Sequence, residues 1–280
     1  MAVTLITDSG CDLTWEQARE LNVILIPMTV HFGDEEYFSG IDLSNEDFYK
    51  KLAVSAELPT TSQPTPFQFE QAYAKIKQNG DEAVVLCVSS ALSGTYQSAN
   101  IAQDGYEDCV YVVDSQAVST AQKVLLDYAI SLRNHGASAK EIALALEAKK
   151  NDVCAFAAIE TLEYLIKGGR LSKAAGAVGS VLGIRPILTL KDGALTIAGK
   201  ARGVKGAISM TNKMIADVGI DFSMPVAVGY TGCDPEVIRP YLDVEDSVFS
   251  GETPSIYHVG STVGTHAGPG AIIAAFFRKS

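Results

Sequence analysis

Residues 83–99 read Ala-Val-Val-Leu-Cys-Val-Ser-Ser-Ala-Leu-Ser-Gly-Thr-Tyr-Gln-Ser-Ala, and this stretch decides the fold class. Its first half is a continuous apolar run with β-branched residues, which predicts a buried strand over 83–89. Its second half begins with hydroxyl side chains that satisfy the unpaired N–H groups of a first helical turn, which predicts a helix from Ser93 to Ala102. A strand that leads directly into a helix is a unit of an α/β fold.

The junction in this stretch also predicts a place for an anion. Backbone N–H groups point outward at a helix start, the helix dipole favours negative charge, and Gly94 would let a ligand approach closely. The ligand group is then a carboxylate or a phosphate, held without a cationic side chain. An ordinary capped helix after an ordinary strand explains this stretch equally well, so both interpretations stay open at this point.

The first half of the chain repeats the strand–helix alternation. Strands are predicted over 3–7, 23–30, 83–89 and 110–113, with helices between and after them. This order favours an α/β domain with a mostly parallel sheet. Polar pairs end three of the strands, so they could meet at one ligand crevice beyond the carboxyl ends: Asp8-Ser9, Ser89-Ser90 and Asp114-Ser115.

The second half has a different pattern. Two apolar runs, 186–190 and 194–198, flank Lys191-Asp192-Gly193, which is a strong hairpin signal. Hairpins mixed with helices predict a mixed, largely antiparallel sheet with flanking helices. We therefore expect two domains, an N-terminal α/β domain over 1–155 and a C-terminal α+β domain over 156–280.

Composition excludes several classes of protein. Of 280 residues, 47% are hydrophobic and 20% charged, which is typical of a globular chain and not of a disordered one. The net charge of −11 argues against nucleic acid as a partner. The five cysteines are scattered and no residues have metal-ligand spacing, which predicts a protein without disulfides or metal. The sequence also shows no signal peptide and no run of about 20 apolar residues, so we expect a cytoplasmic protein.

Charge is unevenly distributed along the chain. The segment 167–205 holds eight basic residues and one acid, a net charge of +7, so the remainder carries −18. This asymmetry predicts a face for an anionic partner or a phosphate-bearing group, unless folding scatters the charges. The small-residue helix expected over 171–182 either packs closely against its neighbours or leaves room for a slender apolar ligand.

Two further segments could carry chemistry. Consecutive hydroxyls in 60–66 offer donors on an extended segment, although Thr65 could simply cap a helix that begins at Pro66. The glycine-rich stretch 260–270 is expected to be a loop that lines a ligand, and it contains His266. Ser93, His266 and Asp114 could also assemble as a hydrolase triad, which makes a lipid esterase or thioesterase the alternative function.

Several motifs, taken in order along the chain, resemble those of one family. They are Asp8-Ser9-x-x-Asp12-Leu13, Thr61-Ser62-Gln63-Pro64, Leu92-Ser93-Gly94-Thr95-Tyr96-Gln97-Ser98-Ala99, Val113-Asp114-Ser115, Gly168-Gly169-Arg170-Leu171-Ser172 and Gly264-Thr265-His266-x-Gly268-Pro269-Gly270. The chain, over about residues 3–279, resembles the DegV family of bacterial fatty-acid-binding proteins, the acyl-carrying subunit of fatty acid kinase. The resemblance implies a two-domain DegV-like fold with one long-chain fatty acid, such as palmitate, in a buried tunnel between the domains.

The resemblance also implies site residues and partners. The fatty-acid carboxylate would be bound at Thr61, Ser62, Ser93 and Gly94, with His266 nearby. A separate kinase subunit would phosphorylate the carboxylate to an acyl phosphate, so this chain itself would be a carrier that needs no cofactor and makes transient contact with membranes. Docking of the kinase is implied for two arginines in the basic segment, Arg170 and Arg202.

No Lys or Arg occurs in the segments 60–66, 89–99 or 260–270. We therefore expect neutral donors to hold the carboxylate, which leaves it more nucleophilic than an arginine-bound carboxylate would be. The tail would supply the affinity, since burial of each methylene contributes about 0.8 kcal/mol.

Overall fold

A computed structural model of the chain describes residues 2–172, 183–242, 248–249 and 251–279. Its strands are β1 Val3–Asp8, β2 Val23–Ile26, β3 Thr29–Phe32, β4 Glu35–Phe38, β5 Thr60–Ser62, β6 Glu82–Cys87, β7 Val110–Asp114, β8 Val153–Ala158, β9 Ile184–Lys191, β10 Ala194–Arg202, β11 Val226–Tyr230, β12 Ser255–His258 and β13 Ile272–Phe277. Its helices are α1 Trp15–Glu20, α2 Asn45–Val54, α3 Pro66–Asn79, α4 Thr95–Ala102, α5 Thr120–Asn134, α6 Ala139–Lys149, α7 Glu163–Lys167, α8 Gly203–Val218, α9 Arg239–Leu242 and α10 Ser261–Ala267.

The N-terminal half forms the predicted parallel sheet. Its order is β2-β1-β6-β7, and every neighbouring pair is parallel. The apolar run that predicted a buried strand is β6, whose side chains from Ala83 to Cys87 are buried. Helices α3 and α4 pack on one face of this sheet, and α5 and α6 pack on the other. The α/β class expected for this half is confirmed.

The C-terminal half forms the predicted mixed sheet. Its order is β10-β9-β8-β13-β11-β12, and only the β11–β12 pair is parallel. The expected hairpin is formed by β9 and β10, and its turn places Asp192 and Gly193 at φ angles of 51° and 75°. Two successive positive φ angles are typical of the tight hairpin turn that Asp-Gly favours. The small-residue helix expected over 171–182 falls, from residue 173 onward, outside the described residues.

Two predictions about local structure are wrong. Residues 23–30, expected as one strand, are split between β2 and β3, which belong to different sheets. Pro27 lies at the split, and its lack of an N–H interrupts a ladder. The small antiparallel sheet β4-β3-β5 that results was not expected, and it holds the hydroxyl segment Thr60–Ser62 on its β5 edge.

The stretch 260–270 is also not the expected loop, because its centre is the helix α10. Gly264 lies inside this helix, and a Cβ there would come within 2.6 Å of the Phe48 ring and of the Tyr49 hydroxyl. Its missing side chain therefore allows close packing of α10 against α2. Gly268 ends the helix with a φ of 68°, a conformation that favours glycine.

Helix α5 joins the two sheets into one packed core. Its buried residues Val124 and Leu125 share an apolar cluster with Leu5 of the parallel sheet and with Ala275 and Phe277 of the mixed sheet. The helix contacts β1 on one side and β8, β11 and β13 on the other. The two sheets are therefore held at a defined spacing. The division of the chain at 155/156 stays a prediction.

Candidate functional site

A cavity of about 380 Å³ lies between the carboxyl ends of the parallel sheet and the mixed sheet. Apolar side chains and backbone form most of its wall. They come from the mixed sheet and the residues beside its strands, and from the segments that follow β1, β2, β6 and β7: Gly10, Met28, Val88, Val118, Ala155, Ala157, Ile159, Leu188, Leu190, Leu195, Ala271 and Ile273. A volume of this size and an apolar wall are typical of a small-molecule site.

Polar side chains gather in one part of the wall. Thr61 Oγ1 lies 2.8 Å from His266 Nε2, and Arg170 Nε donates to the Leu92 carbonyl at 3.2 Å, next to Ser93. All of these residues line the cavity. Strand β5, the turn before α4, the segment after α7 and helix α10 thus each bring one polar group to the same place.

His266 is kept neutral by its surroundings. Burial and the nearby Arg170 guanidinium lower the pKa of His266 to about 4. Its Nδ1 is buried and has no hydrogen-bond partner in the structure. A Cβ on Gly168 would lie 2.2 Å from Nδ1, so the glycine leaves the room that the ring needs. Among the described residues, the ring thus has one nitrogen bonded to Thr61 and one without a partner.

Ser93 begins the turn that leads into α4. Its Oγ lies 2.8 Å from Thr95 Oγ1 and accepts the Thr95 N–H at 3.3 Å. The helix itself starts at Thr95, with Gly94 as its N-cap residue, two residues later than expected. Ser93 is only half-buried and lines the cavity, so its hydroxyl is accessible to a ligand there.

Two of the predicted carboxylate ligands are placed differently from the expectation. Gly94 does not line the cavity, and the space beside it is filled by the amide of Gln63, whose Nε2 donates to the Gly94 carbonyl at 3.2 Å. The close approach expected at Gly94 is thus made by Gln63 and not by a ligand. Ser62 does line the cavity, but it is exposed, and its Oγ lies 2.8 Å from His31 Nε2.

The expected absence of a cation is wrong. Arg170 lines the cavity and is half-buried, and its Nη1 donates to the Gly168 carbonyl at 2.7 Å. The segments nearest the hydroxyls contain no basic residue, and the fold brings Arg170 to the cavity from a distant part of the sequence. Arg202, at the end of β10, is exposed. The two arginines therefore lie in different settings, and docking of a partner on them stays a prediction.

The polar pairs at the strand ends meet as expected, but their carboxylates accept hydrogen bonds from backbone N–H groups. Asp8 Oδ2 accepts the Val88 N–H at 2.7 Å, and Asp114 Oδ1 accepts the Ser90 N–H at 3.1 Å. Asp114 therefore bonds Ser90 and not His266. Ser93 and His266 also share no hydrogen bond, so the geometry gives the hydrolase alternative no specific support.

The described part of the chain contains no candidate metal site and no disulfide. No three His, Cys, Asp or Glu side chains there lie close enough together to hold a metal ion. The five cysteines are all free thiols. In the same residues, no helix has the length and apolar character needed to cross a membrane.

Known proteins are similar to this chain in sequence and in fold. A family described as "uncharacterised protein, DegV family" matches residues 2–279. A DegV domain-containing protein of Clostridium acetobutylicum is 34% identical over 279 residues, which are 99% of each chain.

Solved structures agree with this match. A DegV family protein from Thermus thermophilus, described by its fatty acid binding, is 30% identical and superposes with a TM-score of 0.88 over 99% of this chain and 100% of that one. DegV from Bacillus subtilis, a fatty acid binding protein, is 29% identical with a TM-score of 0.82 over 99% of each chain. Sequence and fold both place this chain in the DegV family.

Proposed function

We propose that this protein binds one long-chain fatty acid, with the tail in the cavity and the carboxylate at Thr61, Ser93, His266 and Arg170. The observation that carries the proposal is that these four polar side chains line a cavity whose wall is mostly apolar. A fatty acid has the matching division into one charged group and a long apolar chain. The fatty acids bound by the relatives from Thermus thermophilus and Bacillus subtilis support the same ligand class.

Affinity in this proposal comes mainly from the tail. Burying a dozen methylenes is worth roughly 10 kcal/mol at about 0.8 kcal/mol each, before the costs of association. The carboxylate then needs only to avoid an unpaired buried charge. Hydroxyls of Thr61 and Ser93 supply neutral donors, and the Arg170 guanidinium supplies a positive charge while its Nε and Nη1 donate to two backbone carbonyls.

We further propose that the bound carboxylate is presented to a kinase subunit in the cytoplasm. One carboxylate oxygen would attack the terminal phosphoryl group of the kinase's nucleoside triphosphate, which forms an acyl phosphate and releases the diphosphate. The family resemblance suggests this role, and the exposed Arg202 is available for a protein contact. This chain would be the carrier, the chemistry would belong to the kinase, and transient membrane contact would supply the acid.

Mass spectrometry tests the binding proposal directly. We expect native spectra of the purified protein to show one bound acid, and denaturing spectra to identify it as palmitate or another long-chain acid. Ser93→Ala should weaken binding about tenfold, because a donor to a buried charge contributes roughly 1.5–3 kcal/mol when it is lost. Thr61→Val should have a similar effect. Tyr73→Phe removes a buried hydroxyl that donates to the Ala99 carbonyl and does not line the cavity, so it serves as the control.

Two outcomes would contradict the proposal. One is a protein that binds no fatty acid when long-chain acids are supplied. The other is unchanged affinity in Ser93→Ala and Thr61→Val, which would place the carboxylate elsewhere. Turnover of lipid esters in the same preparations would instead favour the hydrolase alternative.

A further inference from the structure

We propose that Asp12 is a positioning residue for the fatty-acid site: its buried carboxylate holds the helix of His266 and the backbone at Ser119 where they line the cavity. The proposal rests on the proposed function, since the site it supports is the one assigned above to the fatty acid. Asp12 does not itself line the cavity. It belongs to the first motif of the chain, whose role the binding site leaves unexplained.

The carboxylate of Asp12 ties together segments that are far apart in sequence. Its Oδ1 accepts the Gly260 N–H at 2.9 Å, and its Oδ2 accepts the Ser119 hydroxyl at 2.5 Å. Gly260 is the residue before α10, and Ser119 is the residue before α5. One side chain, 3% exposed, therefore connects the turn after β1 with the starts of two helices.

The first of these connections reaches the cavity through α10. Thr262, Val263 and His266 of this short helix all line the cavity. Thr262 Oγ1 also lies 3.0 Å from Ser9 Oγ, in the same turn as Asp12. The start of α10 is thus attached to the turn after β1 by two polar contacts, and a shift there would move the His266 ring relative to Thr61.

The second connection reaches the cavity through a strained residue. Ser119 has φ 59° and ψ −138°, a conformation that L-residues rarely adopt, and its N–H donates to the Gly10 carbonyl at 2.7 Å. Both Ser119 and Gly10 line the cavity. Such strain persists only where surrounding contacts impose it, and it concentrates at functional sites. The hydrogen bond to Asp12 is the side-chain contact that holds Ser119 there.

The buried Asp12 carboxylate is better suited to fixing the positions of its two partners than to stabilising the fold. Burial raises the pKa of Asp12 to about 7, so folding disfavours the charge that the two hydrogen bonds use. An apolar residue of similar volume would avoid that cost but could accept neither hydrogen bond. A buried acceptor with two oxygens fixes the relative places of Gly260 and Ser119, which a packing contact alone would not do.

Four variants test the role: Asp12→Ala, Asp12→Asn, Ser119→Ala and the remote control Tyr73→Phe. The readouts are the affinity for palmitate, measured where each variant is folded, and the ring-proton NMR shifts of His266 in the unliganded protein. Asp12→Ala should bind about tenfold more weakly, because two buried donors lose their acceptor. Ser119→Ala, the milder change, should bind several-fold more weakly, and both should shift the His266 signals.

Asp12→Asn separates positioning from charge. Its amide oxygen can accept the Gly260 N–H and its NH₂ can donate to Ser119 Oγ, so the amide should restore affinity to within about threefold of wild type. The proposal is overturned if Asp12→Asn is as weak as Asp12→Ala, or if Asp12→Ala loses no more affinity than Tyr73→Phe. Unmoved His266 signals in Asp12→Ala also overturn it. If wild-type protein fails to bind palmitate, the proposed function fails, while the His266 signals still decide the positioning role.

Discussion

The imidazole of His266 is neutral near pH 7 because of where the fold places it. Burial and the Arg170 guanidinium lower its pKa to about 4. A neutral ring has one N–H donor and one acceptor nitrogen, so it can share a hydrogen bond with Thr61 without adding a second positive charge beside Arg170. A bound carboxylate would therefore meet one full positive charge and several neutral donors.

The lowered pKa of His266 predicts how the free energy of unfolding depends on pH. Between pH 4 and 6.5 the unfolded chain binds a proton at His266 and the folded chain does not, so the free energy of unfolding should rise with pH across this window. The shift corresponds to about 3 kcal/mol, all of it lost as the pH falls below 4. Denaturant unfolding of wild type and His266→Asn should show this as a stability difference that grows with pH.

The comparison with His266→Asn is needed because other buried groups titrate in the same pH range. Burial raises the pKa of Asp8 to about 6 and that of Asp12 to about 7, which makes stability fall as pH rises from 4 to 7. Subtracting the His266→Asn curve from that of wild type cancels these carboxyls. A difference that does not change between pH 4 and 6.5 would show that the imidazole is solvated in the folded protein.

At the scale of elements, the β9–β10 hairpin closes onto the end of the parallel sheet. Ser89 Oγ, fully buried, donates to the carbonyl of Gly193 at 2.7 Å. A Cβ on Gly193 would lie 2.4 Å from that hydroxyl. Leu190 and Leu195, on either side of the turn, line the cavity. The turn that the sequence predicts as a simple hairpin tip is thus also a contact between the two sheets.

We predict that Gly193→Ala destabilises the protein by more than its backbone strain. A positive φ costs an L-residue about 1–2 kcal/mol, and the new methyl would also displace the Ser89 hydroxyl. The matched control is Gly33→Ala, which has a φ of 59° and open space around it. Thermal unfolding should show a larger loss for Gly193→Ala. Equal losses in the two variants would mean that the docking of the turn contributes nothing to stability.

At the scale of the whole molecule, α5 belongs to both sheets. Its buried residues Val124 and Leu125 pack in one cluster with Ala227 and Ala275 of the mixed sheet. The N-terminal half therefore has an apolar helix face that only the other half covers. Lys123 adds a polar link, since it pairs with Asp127 and its Nζ lies 4.6 Å from the ring centroid of Tyr257 in β12.

We predict that a fragment of residues 1–155 does not fold by itself. Separating it would expose the face of α5 that packs on β8, β11 and β13, and would remove Ala155 from its sheet. Circular dichroism and proton NMR should show a poorly ordered chain, whereas the full chain should unfold in one transition. A well-dispersed NMR spectrum from the fragment would contradict this expectation and would make the proposed boundary a boundary between folding units.

Local patterns in the sequence predict the class of fold and three of the residues that line the cavity. Apolar runs such as 83–89 and caps such as Thr65 act over a few residues, so the chain order alone predicts them. The ordered motifs likewise pointed to the DegV family and to Thr61, Ser93 and His266, three residues that the fold brings to one cavity.

The neighbours of those three residues follow only from the folded structure. Arg170 enters the cavity, Gln63 fills the space at Gly94, and Asp12 meets Ser119 and Gly260 through contacts that span up to 248 positions. The glycine-rich stretch is likewise helical at its centre, where Gly264 packs closely against Phe48 and Tyr49. Long-range packing and burial set these partners and the pKa of His266, and no local pattern of residues encodes either.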